Sequence, residues 1–384
     1  MDSKRFSFYE FFAGGGMVRA GLGDMWQCLL ANDFDQKKSA TYKINWGEEG
    51  LKTADVRTLG VDDLPEQADL AWASFPCQDL SLAGGGAGLK GERSGTFWPF
   101  WELIKNLNNK DRAPSIVVLE NVCGALTSHG GRDFAAICTA LSCEEYRFGP
   151  MVIDAALFVP HSRPRLFIVA VRKGLEIPDE LLSDKPISIW HTKALRNAYK
   201  KLGAGVKGDW LKLPKPIQRS MGLIDIIEEE PDSVVWHSPK ETDKLLAMMS
   251  DVNAAKVEAA KKMGGKIVGA IYKRTRRDES GRKVQRAEIR FDDIAGCLRT
   301  PAGGSSRQFI MMIEGDRVRS RLISSRETAR LMGLPEEYVL PKKYNEAYHL
   351  TGDGVAVPVV RYLAQHLFEP ILNQQEQISS KVAA

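Results

Sequence analysis

A cysteine directly after a proline, a glutamate closing a β-branched run and two arginines at alternate positions are the residues here best suited to covalent and acid–base chemistry. Cys77 stands in Phe75-Pro-Cys-Gln78, behind the apolar run Leu70 to Phe75. Pro76 cannot donate to a sheet ladder, so the chain leaves the sheet there and the thiol sits at a strand exit. In an open α/β sheet that edge holds ligands, which makes Cys77 a candidate nucleophile; a small buried cysteine is the plainer alternative. Glu120-Asn121 follows Ile116 to Leu119 in the same way. A carboxylate partly withdrawn from water at that edge has a raised pKa and suits hydrogen bonding to, or protonation of, a ring nitrogen. A capping or turn-forming acid is the alternative. His161-Ser-Arg163-Pro-Arg165 leads into the run Leu166 to Val171. Arginines at alternate positions before a strand point the same way, fit to grip a carboxylate, carbonyl or phosphate, unless they form a surface charge pair.

A second set of residues suits a ligand rather than a reaction. Phe6 to Phe12 reads as a strand, Ala13-Gly14-Gly15-Gly16 as a sharp turn, and Met17 to Met25 as the helix after it. Such a turn brings backbone N–H groups and a helix start up to a ligand. Asp33 follows the run Trp26 to Asn32, about 20 residues after the turn, where Rossmann-like sites place the acid that holds a ribose hydroxyl. The dinucleotide fingerprint itself fails, because Arg19 stands where its last glycine belongs. Asp55, in a polar loop before Arg57, suits an adenine amino group or plain solvation.

These elements belong to a chain of 384 residues with 53 Lys and Arg against 49 Asp and Glu, net +4. The length predicts one large domain and a smaller one, and the mild basicity permits a polyanion partner without requiring it. Six cysteines with no Cys-x-x-Cys pair and no zinc spacing predict reduced thiols and no metal. Neither a signal peptide nor a membrane-length apolar run is present, so a soluble, intracellular protein with no membrane partner is expected. Helices are predicted at Phe97 to Leu107, Phe134 to Leu141, Asp251 to Met263, Ser325 to Met332 behind a Ser324–Glu327 capping box, and Val357 to Leu372. Texture changes near Lys173 to Asp179. Beyond it lies a basic run, Lys266 to Arg290, which reads as a solvated hairpin or a phosphate-tracking surface, then the small-residue loop Thr300 to Arg307. Thr351 to Gly354 reads as a second turn, and residues 373–384 as frayed.

In this order the motifs resemble the C5-cytosine DNA methyltransferases, from Phe11 to about Arg172 and again from Arg319 to Leu367. Phe12-Ala-Gly-Gly-Gly16 is similar to the family's first cofactor motif, Asn32-Asp33 to its ribose acid and Asp55 to its adenine contact. Pro76-Cys-Gln78 resembles the nucleophile motif, Glu120-Asn-Val122 the Glu-Asn-Val motif, and Arg163 and Arg165 the arginines of Gln-x-Arg-x-Arg. Arg321 to Gly333 looks like the motif that organises the recognition domain, and Gly352 to Val355 like the closing cofactor loop. Met17, His161, Ser324 and Asp353-Gly354 depart from the usual Gly, Gln, Thr and Asn-small.

The resemblance implies an α/β fold: a Rossmann-like S-adenosylmethionine-dependent domain, residues 1–178 plus 340–384, and a smaller, irregular target-recognition domain, 179–339. It implies transfer of a methyl group to C5 of a flipped-out cytosine in a specific double-stranded DNA sequence through a bond from Cys77 to C6. Catalytic roles then fall to Cys77, Glu120, Arg163 and Arg165, with Arg165 on the ring carbonyl or Glu120 and Arg163 on phosphate or loop contacts. S-adenosylmethionine would be held by Phe12, Ala13, Gly14, Gly15, Gly16, Asp33, Phe34, Asp55, Val56, Pro76, Asp353, Gly354 and Val355. DNA would meet Ser81, Arg93, Arg274, Arg276, Arg277, Arg299, Thr300, Gly303 and Gly304. Also implied are a monomer in a bacterial cytoplasm, close to the nucleoid, and a cognate restriction endonuclease acting separately. Two rivals share the fold, a tRNA-methylating branch marked by Cys-Phe-Thr and a silent DNA-binding regulator. No cysteine here precedes Phe, and both Cys77 and Glu120 are present.

Overall fold

Strands buried on both faces read as unbroken apolar runs, and four of them build the centre of the larger unit. The computed structural model describes residues 6–76, 94–299 and 307–383, with side chains to Gln377. Cys77, Ser81, Arg93, Thr300, Gly303 and Gly304 lie outside the described residues. Strands β1 (Phe6–Phe11), β2 (Trp26–Asp33), β3 (Leu51–Thr53), β4 (Leu70–Ala73), β5 (Ile116–Val122), β6 (Tyr146–Asp154) and β7 (Pro164–Arg172) form one sheet in the order 3-2-1-4-5-7-6. All pairings among β1 to β5 are parallel, whereas β7 runs antiparallel to β5 and β6.

The order reverses between β2 and β4 on either side of β1. That switch point opens the crevice at the carboxyl ends of the strands where such folds bind ligands. Helices α1 (Met17–Leu22), α2 (Gln36–Trp46), α3 (Phe97–Asn108) and α4 (Arg132–Cys143) connect the strands. Phe97, Phe100, Ile104 and Leu107 of α3 and Phe134, Ile137 and Leu141 of α4 pack on the sheet face carrying Tyr9, Phe11, Ala71, Val117 and Ile168. On the other face Trp72 meets Phe167 and Phe368 edge-on, at 6.0 and 6.3 Å between ring centroids.

The chain divides into two compact units, 1–154 with 164–216 and 355–384, and 155–163 with 217–354. The textural change near residue 179 is thus no boundary. Residues up to 216 stay with the sheet because β8 (Leu182–Ser183) pairs with β9 (Trp210–Leu211), with α5 (Lys193–Tyr199) between them, and the Val152 amide bonds the Trp190 carbonyl at 2.8 Å. Thr351 to Asp353 is no turn either: it is the last turn of α9 (Tyr344–Asp353). Residues 369–383 form helix α11 (Glu369–Ala383), which follows α10 (Val357–Leu363).

In the second unit α6 (Pro239–Ala247) and α7 (Asp251–Met263) accompany an antiparallel sheet of β10 (Lys266–Arg277), β11 (Lys283–Arg290), β12 (Phe309–Glu314) and β13 (Arg317–Leu322), ordered 11-10-12-13. Helix α8 (Ser325–Leu331) starts on the expected capping box. Beside it Arg321 and Glu327, both 0% exposed, pair at 2.6 Å, and Arg321 also donates to the Glu228 carbonyl. Breaking a buried pair strands one charge, so Glu327→Ala is expected to cost about 3–5 kcal/mol in urea unfolding, with Arg321→Met/Glu327→Leu regaining most of it. A single-variant loss below about 1 kcal/mol refutes the ion pair as a structural anchor.

Candidate active site

β7 reverses direction, so its first residues lie level with the last residues of β5. Val122 sits opposite Arg165 and Glu120 opposite Phe167. Glu120 and Arg165 are therefore diagonal neighbours on one face, close enough for long side chains to meet. Arg165 Nε stands 3.2 Å from Glu120 Oε1, with the side chains only 14% and 7% exposed. A carboxylate at a ligand-binding edge is thus held and oriented by one guanidinium.

The neighbouring strand exit is tied to the same place. Asn121 donates from Nδ2 to the Phe75 carbonyl at 3.1 Å, while its Oδ1 accepts the Val122 amide. Ala73 lies opposite Leu119, so the chain leaving β4 toward Pro76 is pinned beside Glu120. Sequence reasoning gave Asn121 no role of its own; its signal is an amide one residue past the acid.

The glycine turn takes the predicted form. Gly14 and Gly16 have φ of 56° and 78°, and Phe12 is also left-handed at 58°, a conformation that strains a bulky residue. At Gly16 a Cβ would stand 2.4 Å from Trp46 Nε1, so only glycine fits. Trp46 in turn donates to the Gly15 carbonyl at 3.0 Å. Asp33 holds the turn from the tip of β2, Oδ2 accepting from the Gly14 amide and Oδ1 from the Asp35 amide, both at 2.8 Å. Burial pushes this carboxyl above its usual range. Phe34, next in sequence, is exposed. Asp55 is taken up locally: both oxygens bond Arg57 Nε at 3.1 Å, so an adenine amino group would share them. Val56 is buried in the turn that follows, and Val355 is buried as well.

Glu10, which sequence reasoning missed, lies under this turn at the end of β1. It is 1% exposed; Oε1 accepts the Val18 amide at 3.2 Å and Oε2 has no partner among the described residues. An unpartnered buried carboxylate oxygen, open space around the Cβ position of Gly14 and an exposed aromatic ring after a ribose-type acid fit S-adenosylmethionine.

The basic run forms a two-stranded ribbon. Past Ile271, β10 pairs with β11 alone, out to Arg277 opposite Lys283. Arg274, Arg276 and Arg286 share one face with Glu288, which takes Arg274 Nε at 3.3 Å and Arg276 Nη2 at 2.5 Å. Arg277 projects from the opposite face and donates to the Gly281 carbonyl. The expected trio of Arg274, Arg276 and Arg277 is thus split, and Arg286 joins the first two. Arg299 is exposed. Arg163 is 2% exposed and bonds the Gly352 and Gly354 carbonyls, so of phosphate and loop contacts its geometry fits the loop.

A family model described as "C-5 cytosine-specific DNA methylase" matches residues 6–369. The chain belongs to that family. This DNA methylase accordingly transfers a methyl group from S-adenosylmethionine to C5 of cytosine in DNA. It is 27% identical to Type II methyltransferase M.DsaV of Dactylococcopsis salina over 100% of this chain and 92% of the relative. To M.HhaI of Haemophilus parahaemolyticus the identity is 22%, over 94% and 93%. The Dnmt2 methyltransferase of S. pombe shares its fold, with TM-score 0.59 at 18% identity, covering 96% of this chain and 99% of that one. Among the described residues of the methylase no helix is long and apolar enough to cross a membrane.

The buried acid makes a pH prediction. Desolvation, only partly offset by the Val18 amide and Arg19, pushes Glu10 from 4.5 up to about 8. The folded state keeps a proton that the unfolded chain releases in that window. Stability from this group is full below 4.5 and is lost as pH rises through 8. Its neighbour Cys28 is pushed up to about 12 and is silent there. The cofactor-free protein should melt lower at about pH 8.5 than at about pH 6, and Glu10→Gln should remove most of the difference. An equal fall in the variant counts against Glu10 as its source.

Proposed function

We propose that this methylase works on a flipped cytosine in double-stranded DNA, with Cys77 as nucleophile and Glu120 as the acid at N3. The observation that carries this reading is the Arg165–Glu120 pair at 3.2 Å, set beside the strand exit that ends in Pro76-Cys77. C5 of cytosine is a poor nucleophile until C6 carries an added group. Cys77 Sγ forms a bond to C6, Glu120 delivers a proton to N3, and the ring becomes an enamine nucleophilic at C5. S-adenosylmethionine, when bound, supplies an electrophilic methyl group on a sulfonium. Water takes the C5 proton as Cys77 leaves as thiolate, and the N3 proton returns to Glu120, which restores the ring. Arg165 keeps Glu120 oriented and reaches the ring carbonyl. Phe12 to Gly16, Asp33, Phe34, Asp55, Val56, Pro76, Asp353, Gly354 and Val355 are the proposed cofactor contacts.

Base extrusion costs a few kcal/mol, which phosphate contacts must offset. The ribbon face with Arg274, Arg276 and Arg286 suits that task, since Arg274 lies opposite Arg286 and like charges across a pair repel unless an anion joins them. Arg299, Ser81, Arg93, Thr300, Gly303 and Gly304 complete the proposed DNA surface. The proposal includes a monomer in a bacterial cytoplasm near the nucleoid, with a separately acting restriction endonuclease; relatives named Type II methyltransferases occur in bacteria.

Bisulfite sequencing of a plasmid expressed with the protein is expected to show one short methylated context, and no methylation above background refutes the reading. Cys77→Ala should abolish both methyl transfer and trapping on 5-fluorocytosine DNA, whereas Glu120→Gln should lower kcat roughly 100- to 10,000-fold. Wild-type trapping in the Cys77 variant would assign the nucleophile elsewhere. For the ribbon, Arg274→Gln/Arg286→Gln should cut the slope of log K against log salt by roughly one to two, as expected for one or two lost phosphate contacts, with Arg277→Gln nearly silent. An unchanged slope in the double variant marks the ribbon as a solvated hairpin.

A further inference from the structure

Arg163 ends the 155–163 connection in the second unit, and its guanidinium spans segments far apart in sequence. Nη2 donates to the carbonyls of Gly352 at 2.8 Å and Gly354 at 2.7 Å, while Nη1 donates to the Leu298 carbonyl at 3.4 Å and lies 3.7 Å from Cys297 Sγ. Neighbours of Arg163 close the same seam. The Ser162 amide bonds the Ala295 carbonyl at 2.9 Å, and the Ala295 amide bonds the Pro160 carbonyl at 2.8 Å. His161, fully buried, accepts the Leu298 amide at Nε2 at 3.1 Å, with Nδ1 at 3.1 Å from the Leu331 carbonyl. A proton on Nδ1 satisfies both contacts.

A cation this deeply buried tolerates little loss of its acceptors. Gly352 and Gly354 therefore cannot shift independently of Leu298, because one rigid planar group holds all three. We propose that Arg163 is a positioning residue that couples the Gly352–Gly354 segment to Ala295–Arg299, so that cofactor binding and DNA binding strengthen each other. The proposal rests on the reading above, in which Asp353 and Gly354 meet the cofactor and Arg299 meets DNA. Lysine is no substitute, since a point charge on a flexible stem does not reproduce the planar fork.

The test uses the full chain, S-adenosylhomocysteine to prevent turnover, and a duplex carrying the context found by bisulfite sequencing. In the wild type, S-adenosylhomocysteine should tighten the duplex Kd by a factor of roughly 5 to 150, and the duplex should tighten S-adenosylhomocysteine by the same factor. In Arg163→Lys and Arg163→Met the coupling factor should fall below about two, whatever the change in each separate Kd. A wild-type factor retained in both variants, or a factor of one in the wild type, overturns the proposal while methylation of the plasmid still stands. Failure to bind S-adenosylhomocysteine at all overturns the cofactor reading along with it. Should both variants fail to fold, hydrogen exchange on the wild type decides: S-adenosylhomocysteine alone should slow the amides of 295–299 at least about threefold, and unchanged exchange overturns the coupling.

Discussion

One desolvated ion pair, Arg165 against Glu120, organises the edge of the central sheet. Glu120 at the exit of a fully buried strand would, alone, be an uncompensated acid at the edge of a hydrophobic core, and Arg165 removes that difficulty at 3.2 Å. The pair exists because β7 enters the sheet against the direction of its neighbours. A parallel strand in that slot would begin at the far edge, and an arginine at its start would lie a strand's length from Glu120. Topology thus decides whether the carboxylate has a partner. Asn121, on the same strand exit, carries the constraint across to β4, so the ladder of the central sheet also sets where the chain leaves β4.

The glycine turn obeys a different constraint, crowding rather than charge. Gly16 is squeezed between the turn and the rings of Trp46 and Tyr42, and Arg19 reaches over both rings while donating to the Tyr42 hydroxyl. The turn is therefore backed by packed side chains, not left as a free loop, and its left-handed residues are held in place from behind. A turn built this way would meet a ligand already shaped, which lowers the ordering cost of binding.

Much of this was legible in the residues. The strand–turn–helix at Phe6 to Leu22, the acid at Asp33, the helix Asp251–Met263 and the capping box at Ser324 follow from local rules of period, breaker and cap, and each appears in the fold. Local rules failed where distant partners decide. Thr351-Gly-Asp-Gly354 looks like a turn by composition, yet α9 carries through it, its Thr351 hydroxyl bonded to the Ala347 and Tyr348 carbonyls and to Thr328. The change of texture near residue 179 marks irregular chain rather than a boundary, because burial of Trp190, Leu195 and Leu211 ties that stretch to the larger unit. Glu10 went unread because burial of an acid with one oxygen bonded to the Val18 amide and the other without a partner among the described residues is a fact of packing.

Arginine shows most clearly why composition cannot locate function in this chain. Arg321 is buried against Glu327, Arg163 against carbonyls, Arg165 against Glu120 and the Pro164 carbonyl, and Arg274 and Arg286 stand across from each other on a two-stranded ribbon. A net charge of +4 averages over all of these. What separates them is how many acceptors the fold supplies. Where carbonyls and carboxylates are ample the guanidinium organises the interior, and where one Glu288 serves two arginines beside a third, the remaining positive charge calls for an acceptor from outside. On the proposed reading, the phosphates of a duplex supply that acceptor.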